Sequence, residues 1–215
     1  MKTLLTLEDF VPLTGKIAGA LNDANEQITA LDAAIGDGDL GVTCRLGMQA
    51  ALDSPAREAD SLSEAVLKAG MAFNSSAAST FGALVATAAM RAAKYAKDKA
   101  LTEWDLPAII GAAEATATGI KQRGGGAELG DKTMLDALIP ATEALKAAEA
   151  AGKSLAEALS AAAAAAQAGA EATKPLKSKF GRAGWLQDQT IGVQDPGATV
   201  VAIVMQALAD YVREA

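Results

Sequence analysis

The chain has 215 residues, a formal net charge of −7 at pH 7 and an isoelectric point near 4.7. An acidic chain of this kind argues against nucleic acid and anionic membranes as partners, because both repel negative charge. Apolar residues make up 51% of the sequence but aromatic residues only 4%, which favours a core of closely packed, alanine-rich helices. The chain has no histidine, which excludes Ser-His-Asp triads, histidine zinc ligands and a phosphohistidine intermediate on this chain.

Three features predict a location in the reducing cytoplasm. Cys44 is the only cysteine, so the chain has no internal disulfide framework. No stretch reaches about 18 uncharged apolar residues, which is the length expected of a membrane-spanning helix. Glu8 and Asp9 interrupt the apolar start of the chain before the core of a signal peptide could form.

Helix signals recur along the whole chain, and strand signals are almost absent. The first helix opens at Thr6 and runs to about Asn22. Ser61 and Ser154 each stand three residues before a glutamate, the capping-box pattern, and Thr102 opens a weaker version of it. No linker is long or polar enough to divide the chain, so we expect one all-α domain over residues 1–215. Counting the first, eight helices are predicted, the others over residues 41–53, 62–73, 75–98, 103–122, 131–151, 154–173 and 197–214.

Residues 31–41 read LDAAIGDGDLG, and they crowd three carboxylates into eight positions. In a regular helix Asp37 would lie about 140° around from Asp32, so the chain must curl here for the acids to meet. A tight curl containing Asp32, Asp37 and Asp39 would repel itself. A hard divalent cation such as Mg²⁺ or Ca²⁺ would relieve that repulsion. The alternative is that the aspartates only cap helices and form turns, since Asp-Gly is common in turns.

Three familiar motifs match parts of the sequence but fail on physical grounds. Residues 36–41 satisfy G-x-G-x-x-G, but a helix-like segment precedes them, and Asp37 and Asp39 would repel a pyrophosphate. An EF-hand starting at Asp37 would need an acidic residue at position 48, which is Met48. The segment before Ser154 resembles the end of a P-loop, but Ala147 stands where the first glycine belongs.

With these three motifs excluded, the remaining interpretation of the acidic loop is a site that binds phosphate through a metal ion. Acidic loops hold Mg²⁺, and Mg²⁺ in turn binds polyphosphate. The positive complement would come from a helix N-terminus, from loop amides and from an arginine. Thr43, Ser79, Thr80 and Arg182 could supply these groups.

Four motifs occur in one order along nearly the whole chain, and together they carry a resemblance. They are Asp32-x₄-Asp37-Gly38-Asp39-x-Gly41, Gly130-Asp131-Lys132-Thr133-Met134, Gly181-Arg182-Ala183 and Ile191-Gly192-x-Gln194-Asp195-Pro196-Gly197-Ala198. Each is modest alone, but the ordered set is specific. The set resembles the L subunit of the dihydroxyacetone kinase family, which is the nucleotide-binding component.

The resemblance implies an eight-helix up-and-down barrel with ADP or ATP bound in loops at one rim. It implies that Asp32, Asp37 and Asp39 hold Mg²⁺, with two ions expected, and that Arg182 is catalytic. It also implies a separate K subunit that carries a small ketose on a histidine. The phosphoryl donor stays open between ATP and a phosphocarrier protein that recharges a resident ADP. The implied nucleotide-binding residues are Leu40, Gly41, Val42, Thr43, Ser79, Thr80, Gly82, Gly124, Met134, Arg182, Asp195, Pro196 and Gly197.

The sequence departs from the family pattern beside the expected phosphates. The acidic loop usually continues Asp-His-Gly-x-Asn, whereas here Leu40 replaces the histidine and Thr43 the asparagine. Phe81 replaces a serine in a loop that is usually glycine-rich. These departures predict a divergent branch. They leave open two other classes of protein, a nucleotide-binding regulator that has lost transfer activity and a purely structural helical adaptor.

Overall fold

The computed structural model describes residues 2–215, which form helices joined by loops. Within that range, pairing between extended segments is limited to a single bridge between Leu5 and Trp104. The predicted all-α fold class is confirmed. The α-helices in residues 2–215 are α1 (Phe10–Asp23), α2 (Asn25–Ile35), α3 (Leu40–Asp53), α4 (Leu62–Ser76), α5 (Thr80–Asp98), α6 (Leu106–Arg123), α7 (Leu135–Ala150), α8 (Leu155–Ala172) and α9 (Pro196–Glu214).

The helices form a closed ring in which α3 to α9 each pack against the next in chain order. Helix α1 closes the ring by packing against both α3 and α9, and α2 contacts the same two neighbours. Only Ala24 separates α1 from α2, and its N–H still donates to the carbonyl of Ala20. The two helices therefore share one position in an eight-position barrel.

The helix that the sequence analysis missed is α2. The first helix was predicted to end near Asn22, but the chain kinks at Ala24 and continues as a helix to Ile35. The segment is half polar, and Ile28 and Ile35 are its buried residues. A helix whose apolar face is this narrow gives a weak periodic signal.

Three helices begin later than predicted, because local contacts hold the residues before them in other conformations. Helix α6 begins at Leu106, since Trp104 pairs with Leu5 and the Asp105 side chain caps the helix. Helix α7 begins at Leu135 rather than residue 131. Helix α5 begins at Thr80 rather than residue 75, because α4 continues to Ser76.

The core is built largely from alanine, as the composition predicts. On α8, Leu159, Ala162, Ala166 and Ala170 recur at helical spacing and are fully buried. Small side chains allow neighbouring helices to approach closely, and α8 packs along both α7 and α9. Among the described residues, no helix has the length and apolar character needed to cross a membrane.

The alternating direction of the helices sorts the loops between two rims. Segments 36–39, 77–79, 124–134 and 173–195 join helices at one rim, which we call the site rim. The loops after α3, α5 and α7 lie at the opposite rim. The site rim therefore carries the acidic loop, the glycine loop and the longest connection of the chain.

Candidate functional site

A cavity of about 260 Å³ opens at the site rim, where all four loops meet. Its wall combines carboxylates and hydroxyls near the mouth with apolar side chains below. The lining residues are Asp32, Ile35, Gly36, Asp37, Asp39, Leu40, Ser79, Thr80, Phe81, Leu84, Ile120, Gly124, Ala127, Lys132, Thr133, Met134, Leu135, Phe180, Gly181, Arg182, Ala183, Asp195, Pro196 and Gly197.

The three aspartates of the acidic loop converge at the mouth of this cavity. Asp32, Asp37 and Asp39 each offer a carboxylate oxygen, and these oxygens lie within 4.8 Å of one another. Asp37 and Asp39 are exposed and Asp32 is half-buried. Hard oxygen donors at this spacing suit Mg²⁺ or Ca²⁺, and an open side leaves room for water or phosphate oxygens.

Two glycines allow the acidic loop to curl this tightly. A Cβ on Gly36 would lie 2.5 Å from a carboxylate oxygen of Asp32, so a larger residue would push that ligand away. Gly38 adopts a φ of +76°, the left-handed region that favours glycine. The loop geometry therefore depends on the residues between the acids as well as on the acids.

Helix capping explains only one of the three aspartates. Asp32 accepts the N–H of Leu40 at 3.1 Å, so it does stabilise the start of α3. Asp39 occupies the N-cap position of α3, but its side chain makes no capping hydrogen bond. Asp37 pairs instead with a cation from another loop. The carboxylates of Asp37 and Asp39 are therefore free of any role in capping α3.

Arg182 is the cation that reaches the acidic loop. Its guanidinium forms an ion pair with the carboxylate of Asp37 and bridges the long α8–α9 connection to the α2–α3 loop. The Arg182 side chain is 72% exposed, so water screens the pair and its contribution to stability is small. The three carboxylates beside this pair form a donor set that fits a divalent metal ion.

Helix N-termini supply the positive potential around the cavity. Helices α3, α5, α7 and α9 all begin at the site rim, and each N-terminus carries a partial positive charge and unpaired N–H groups. Ser79 caps α5 by accepting the N–H of Gly82 at 3.0 Å. Within residues 2–215, the N–H groups of Thr80 and Phe81 have no hydrogen-bond partner. Both residues line the cavity, so these donors can serve an anion.

Asp195 forms the buried floor of the site at the start of α9. Its carboxylate caps the helix by accepting the N–H of Ala198 at 2.6 Å, and Pro196 follows at the first helical position. Burial raises the pKa of Asp195 to about 7, and the nearby carboxylate of Asp136 acts in the same direction. The Ala198 N–H and the Lys132 ammonium oppose that rise.

This raised pKa predicts a pH-dependent effect of Asp195→Asn. The protonated carboxyl favours the folded state, so its stabilising contribution is complete below the ordinary pKa of 3.8 and is lost as the pH rises through about 7. Asparagine does not titrate and still caps a helix. We therefore expect the melting temperature of the variant to rise relative to wild type between pH 4 and 8.

Melting curves across that pH range check the prediction. Asp98→Asn is the control, because that carboxylate is exposed at the opposite rim and pairs only with Lys94. A melting temperature of Asp195→Asn that stays constant relative to wild type over this range, or falls relative to it, would contradict a raised pKa of Asp195.

The structure brings most of the sequence-predicted site residues to this cavity. All three aspartates line it, and nine of the thirteen implied nucleotide-binding residues do as well. Those nine are Leu40, Ser79, Thr80, Gly124, Met134, Arg182, Asp195, Pro196 and Gly197.

The structure does not place Gly41, Val42, Thr43 or Gly82 in the cavity wall. Gly41 faces α2, where an added Cβ would lie 2.2 Å from the hydroxyl of Thr29. Val42 is 45% exposed and Thr43 is buried within the barrel. Gly82 packs against the carbonyl of Ala77, which would lie 2.4 Å from an added Cβ. The family resemblance implied these four as nucleotide-binding residues, and in the structure they lie outside the cavity wall.

Two of the three replaced family residues, Leu40 and Phe81, line the cavity, whereas Thr43 does not. Leu40 is buried and packs against Leu21 and Cys44. Burial also raises the pKa of the Cys44 thiol to about 12. The ring of Phe81 lies 6.4 Å from that of Phe73, centroid to centroid, in a tilted arrangement. An apolar surface therefore occupies the place where the family pattern expects a histidine and a serine.

Sequence reasoning missed Lys132 and the aromatic wall formed by Phe180. Lys132 stands in one of the motifs that carry the resemblance, but nothing in the sequence indicates that its side chain turns inward. The structure shows it only 2% exposed and with a φ of +60°. Phe180 precedes the Gly181-Arg182 motif and lines the same cavity.

The fold and the site together define an all-helical barrel protein with a carboxylate cluster and a ring of helix N-termini at one rim. The chain belongs to the DAK2 domain family, whose sequence model matches residues 34–210. The resemblance inferred from the four ordered motifs is confirmed by this match.

Three similar proteins illustrate the family. The ADP-binding subunit DhaL of the PEP-dependent dihydroxyacetone kinase of Escherichia coli is 35% identical over 192 residues, covering 88% of this chain and 90% of the subunit. The D-erythrulose kinase of Mycolicibacterium smegmatis is 35% identical over 203 residues, covering 91% of this chain and 34% of that kinase. The crystal structure of the C. freundii dihydroxyacetone kinase with AMP-PNP and Mg²⁺ is 29% identical, with a TM-score of 0.70, and covers 93% of this chain and 33% of that one.

Proposed function

We propose that the chain is the nucleotide-binding subunit of a ketose kinase and binds ADP or ATP together with Mg²⁺ at the site rim. The observation that carries the proposal is the convergence of three carboxylates within 4.8 Å beside an arginine and several helix N-termini. The names of the relatives, which include an ADP-binding kinase subunit and an erythrulose kinase, support the same activity.

The negative charge of the acidic loop explains why nucleotide binding would require a metal ion. Three carboxylates at the mouth repel a polyphosphate, so nucleotide can bind only if cations lie between the two. Asp32, Asp37 and Asp39 would hold Mg²⁺, and we propose that they bind two ions. When bound, the metal neutralises charge on the phosphates and fixes their geometry.

The remaining parts of the cavity are suited to the rest of the nucleotide. The free N–H groups of Thr80 and Phe81 point to an anion site at the start of α5. Met134, Ile120 and Phe180 form an apolar wall on which a base can pack. Arg182 lies at the mouth of the cavity, where its guanidinium can stabilise the negative charge that develops on the transferred phosphoryl group.

The open mouth of the cavity argues for a partner. Asp37, Asp39, Thr80 and Arg182 are all exposed, so water has free access to the phosphates in the isolated chain. A second protein must cover the rim to exclude water during transfer. We propose a K-like subunit that presents a small ketose, since this chain has no histidine to hold one. A phosphocarrier protein that recharges a resident ADP is the proposed alternative to ATP as the donor.

We therefore expect the isolated chain to phosphorylate no free sugar and to gain activity only with its partner. An ADP-release assay over dihydroxyacetone and erythrulose, with and without the protein encoded beside it, measures this. Phosphorylation of sugar by the chain alone would overturn the subunit assignment and indicate a self-sufficient kinase.

A second function of the same fold is a nucleotide-binding regulator without transfer activity. Leu40 and Phe81 favour it, because each places apolar surface where the family pattern has a polar side chain. Mg²⁺-dependent nucleotide binding that persists while the partnered assay shows no turnover would support the regulator over the kinase.

A further inference from the structure

Lys132 is a buried cation that the proposed function does not use. Its side chain lines the cavity floor, and its ammonium donates to the carbonyl of Leu176 at 3.0 Å and to that of Thr190 at 2.5 Å. Burial lowers the pKa of Lys132, while the Asp195 carboxylate opposes that shift. A lysine is rarely buried to this degree unless it is paired, and here two backbone carbonyls accept two of its three N–H donors.

The two carbonyls bound by Lys132 stand at the two ends of one loop. Residues 177–189, which we call the arginine loop, leave the barrel after Leu176 and return at Thr190. This loop carries Arg182. Lys132 therefore links the two ends of the arginine loop through its ammonium. It lies 44 residues before Leu176 and 58 residues before Thr190 in the sequence.

Neighbouring contacts also join the two ends of the arginine loop, around residues 176–178 and 190, a region that we call the neck of the loop. The N–H of Ser178 donates to the hydroxyl of Thr190 at 3.0 Å, and Thr190 donates in turn to the carbonyl of Gln187 at 2.8 Å. Thr190 is fully buried. On the surface, Lys179 pairs with Asp131, the residue before Lys132, at 2.6 Å. The arginine loop is thus held by Lys132 on its buried side and by Asp131 on its exposed side.

The backbone of Lys132 is held in an uncommon conformation. Its φ of +60° lies in the left-handed region, which residues with a Cβ seldom adopt. Such a conformation persists only when surrounding contacts fix it. Here it directs the side chain inward to the neck of the arginine loop, so the contacts of the ammonium and the backbone geometry support each other.

We propose that Lys132 is a positioning residue, whose ammonium closes the neck of the arginine loop and thereby holds Arg182 beside Asp37. The consequence for phosphoryl transfer rests on the proposed function, but the closure of the loop does not. A methionine at this position has a similar length and no donor, so it would leave both carbonyls unpaired and release the loop.

Limited digestion with trypsin tests the closure directly, since Lys177, Lys179 and Arg182 all lie in the arginine loop. A protease needs a locally open segment, so we expect Lys132→Met to be cut in this loop about tenfold faster than wild type. Lys146→Met is the matched control, because Lys146 is exposed on α7 and pairs only with Glu114 and Glu143. That control should be cut in the arginine loop at the wild-type rate.

A second variant covers the case in which Lys132→Met does not fold. Lys132→Gln removes the ammonium, keeps a polar group in the cavity and is too short to reach both carbonyls, so it too should speed cleavage of the loop. Wild-type cleavage in a folded Lys132→Met protein, or in Lys132→Gln when Lys132→Met fails to fold, would overturn the proposal.

Kinetics then connect the loop to Arg182. With the partner present, Lys132→Met should lower kcat at least tenfold while Kd for Mg²⁺–ADP changes less than threefold, since the metal cluster is untouched. Equal losses in kcat and nucleotide affinity would show a general defect of the cavity and would contradict a positioning role. Faster cleavage together with an absence of nucleotide binding in wild type would leave the loop closure intact and reject the proposed function instead.

Discussion

Replacing Asp39 with asparagine is expected to abolish Mg²⁺-dependent nucleotide binding and to leave the folded chain as stable as wild type. Asp39 caps no helix, since its carboxylate makes no capping bond at the start of α3. Asparagine is an equally good N-cap residue, and removal of one charge relieves repulsion from Asp32 and Asp37. We expect the free energy of unfolding without nucleotide to change by less than about 0.5 kcal/mol. Calorimetric titration and thermal melting measure the two quantities on the same protein.

Asp37→Asn should behave similarly, with a small additional loss of stability. It gives up an exposed ion pair with Arg182, which is worth about 1 kcal/mol at most. Asp98→Asn removes one carboxylate at the opposite rim and should leave binding unchanged. Strong destabilisation of the apo protein by Asp39→Asn, with affinity retained, would identify the acidic loop as a structural cap.

Replacing Arg182 with alanine is expected to lower the transfer rate far more than nucleotide affinity. The guanidinium can leave Asp37 at little cost in free energy, because its side chain is 72% exposed and water screens the ion pair. A cation that meets developing negative charge stabilises the transition state more than the bound nucleotide. We expect kcat of the complex with its partner to fall by about 10²–10³-fold, by analogy with arginine fingers. Kd for Mg²⁺–ADP should change less than about threefold.

Lys177→Ala is the control for Arg182→Ala. Lys177 belongs to the same loop and pairs with Asp188 at 2.6 Å, and it does not line the cavity. Its removal should leave both kcat and Kd near wild type. If Kd for nucleotide rises as much as kcat/KM falls in Arg182→Ala, Arg182 contributes binding energy only.

The sequence was most informative where short-range chemistry decides the structure. Capping residues predicted the starts of α4 and α8, and Ser61 and Ser154 each accept an N–H three residues further along the chain. The three aspartates were predicted to meet because only a curled loop could hold them, and their oxygens lie within 4.8 Å. Both inferences use residues that are close in sequence, so no knowledge of long-range packing was needed.

The sequence was least informative where distant contacts decide the structure. Helix α6 begins three residues later than predicted because Trp104 pairs with Leu5, which is far away along the chain. Gly41 resembled a residue that contacts ligand, but it marks a close approach of α3 to α2. Lys132 gave no signal, since a lysine in a polar loop is ordinarily solvated and only the return of the α8–α9 connection buries it.

The roles of the individual site residues and the single domain over residues 1–215 stay predictions. The cavity brings twelve of the sixteen metal and nucleotide residue assignments to one place, which supports the site without testing what it binds.

Thermal melting with ADP, with and without EDTA, tests the central claim that metal joins the nucleotide to the acidic loop. At a hundredfold excess of ligand over Kd, binding stabilises the folded chain by about 2.7 kcal/mol. For a domain of this size that corresponds to a rise of roughly 5–10 °C in melting temperature. We expect this rise with Mg²⁺ and ADP together, and no rise once EDTA is added. An equal rise in the presence of EDTA would contradict it.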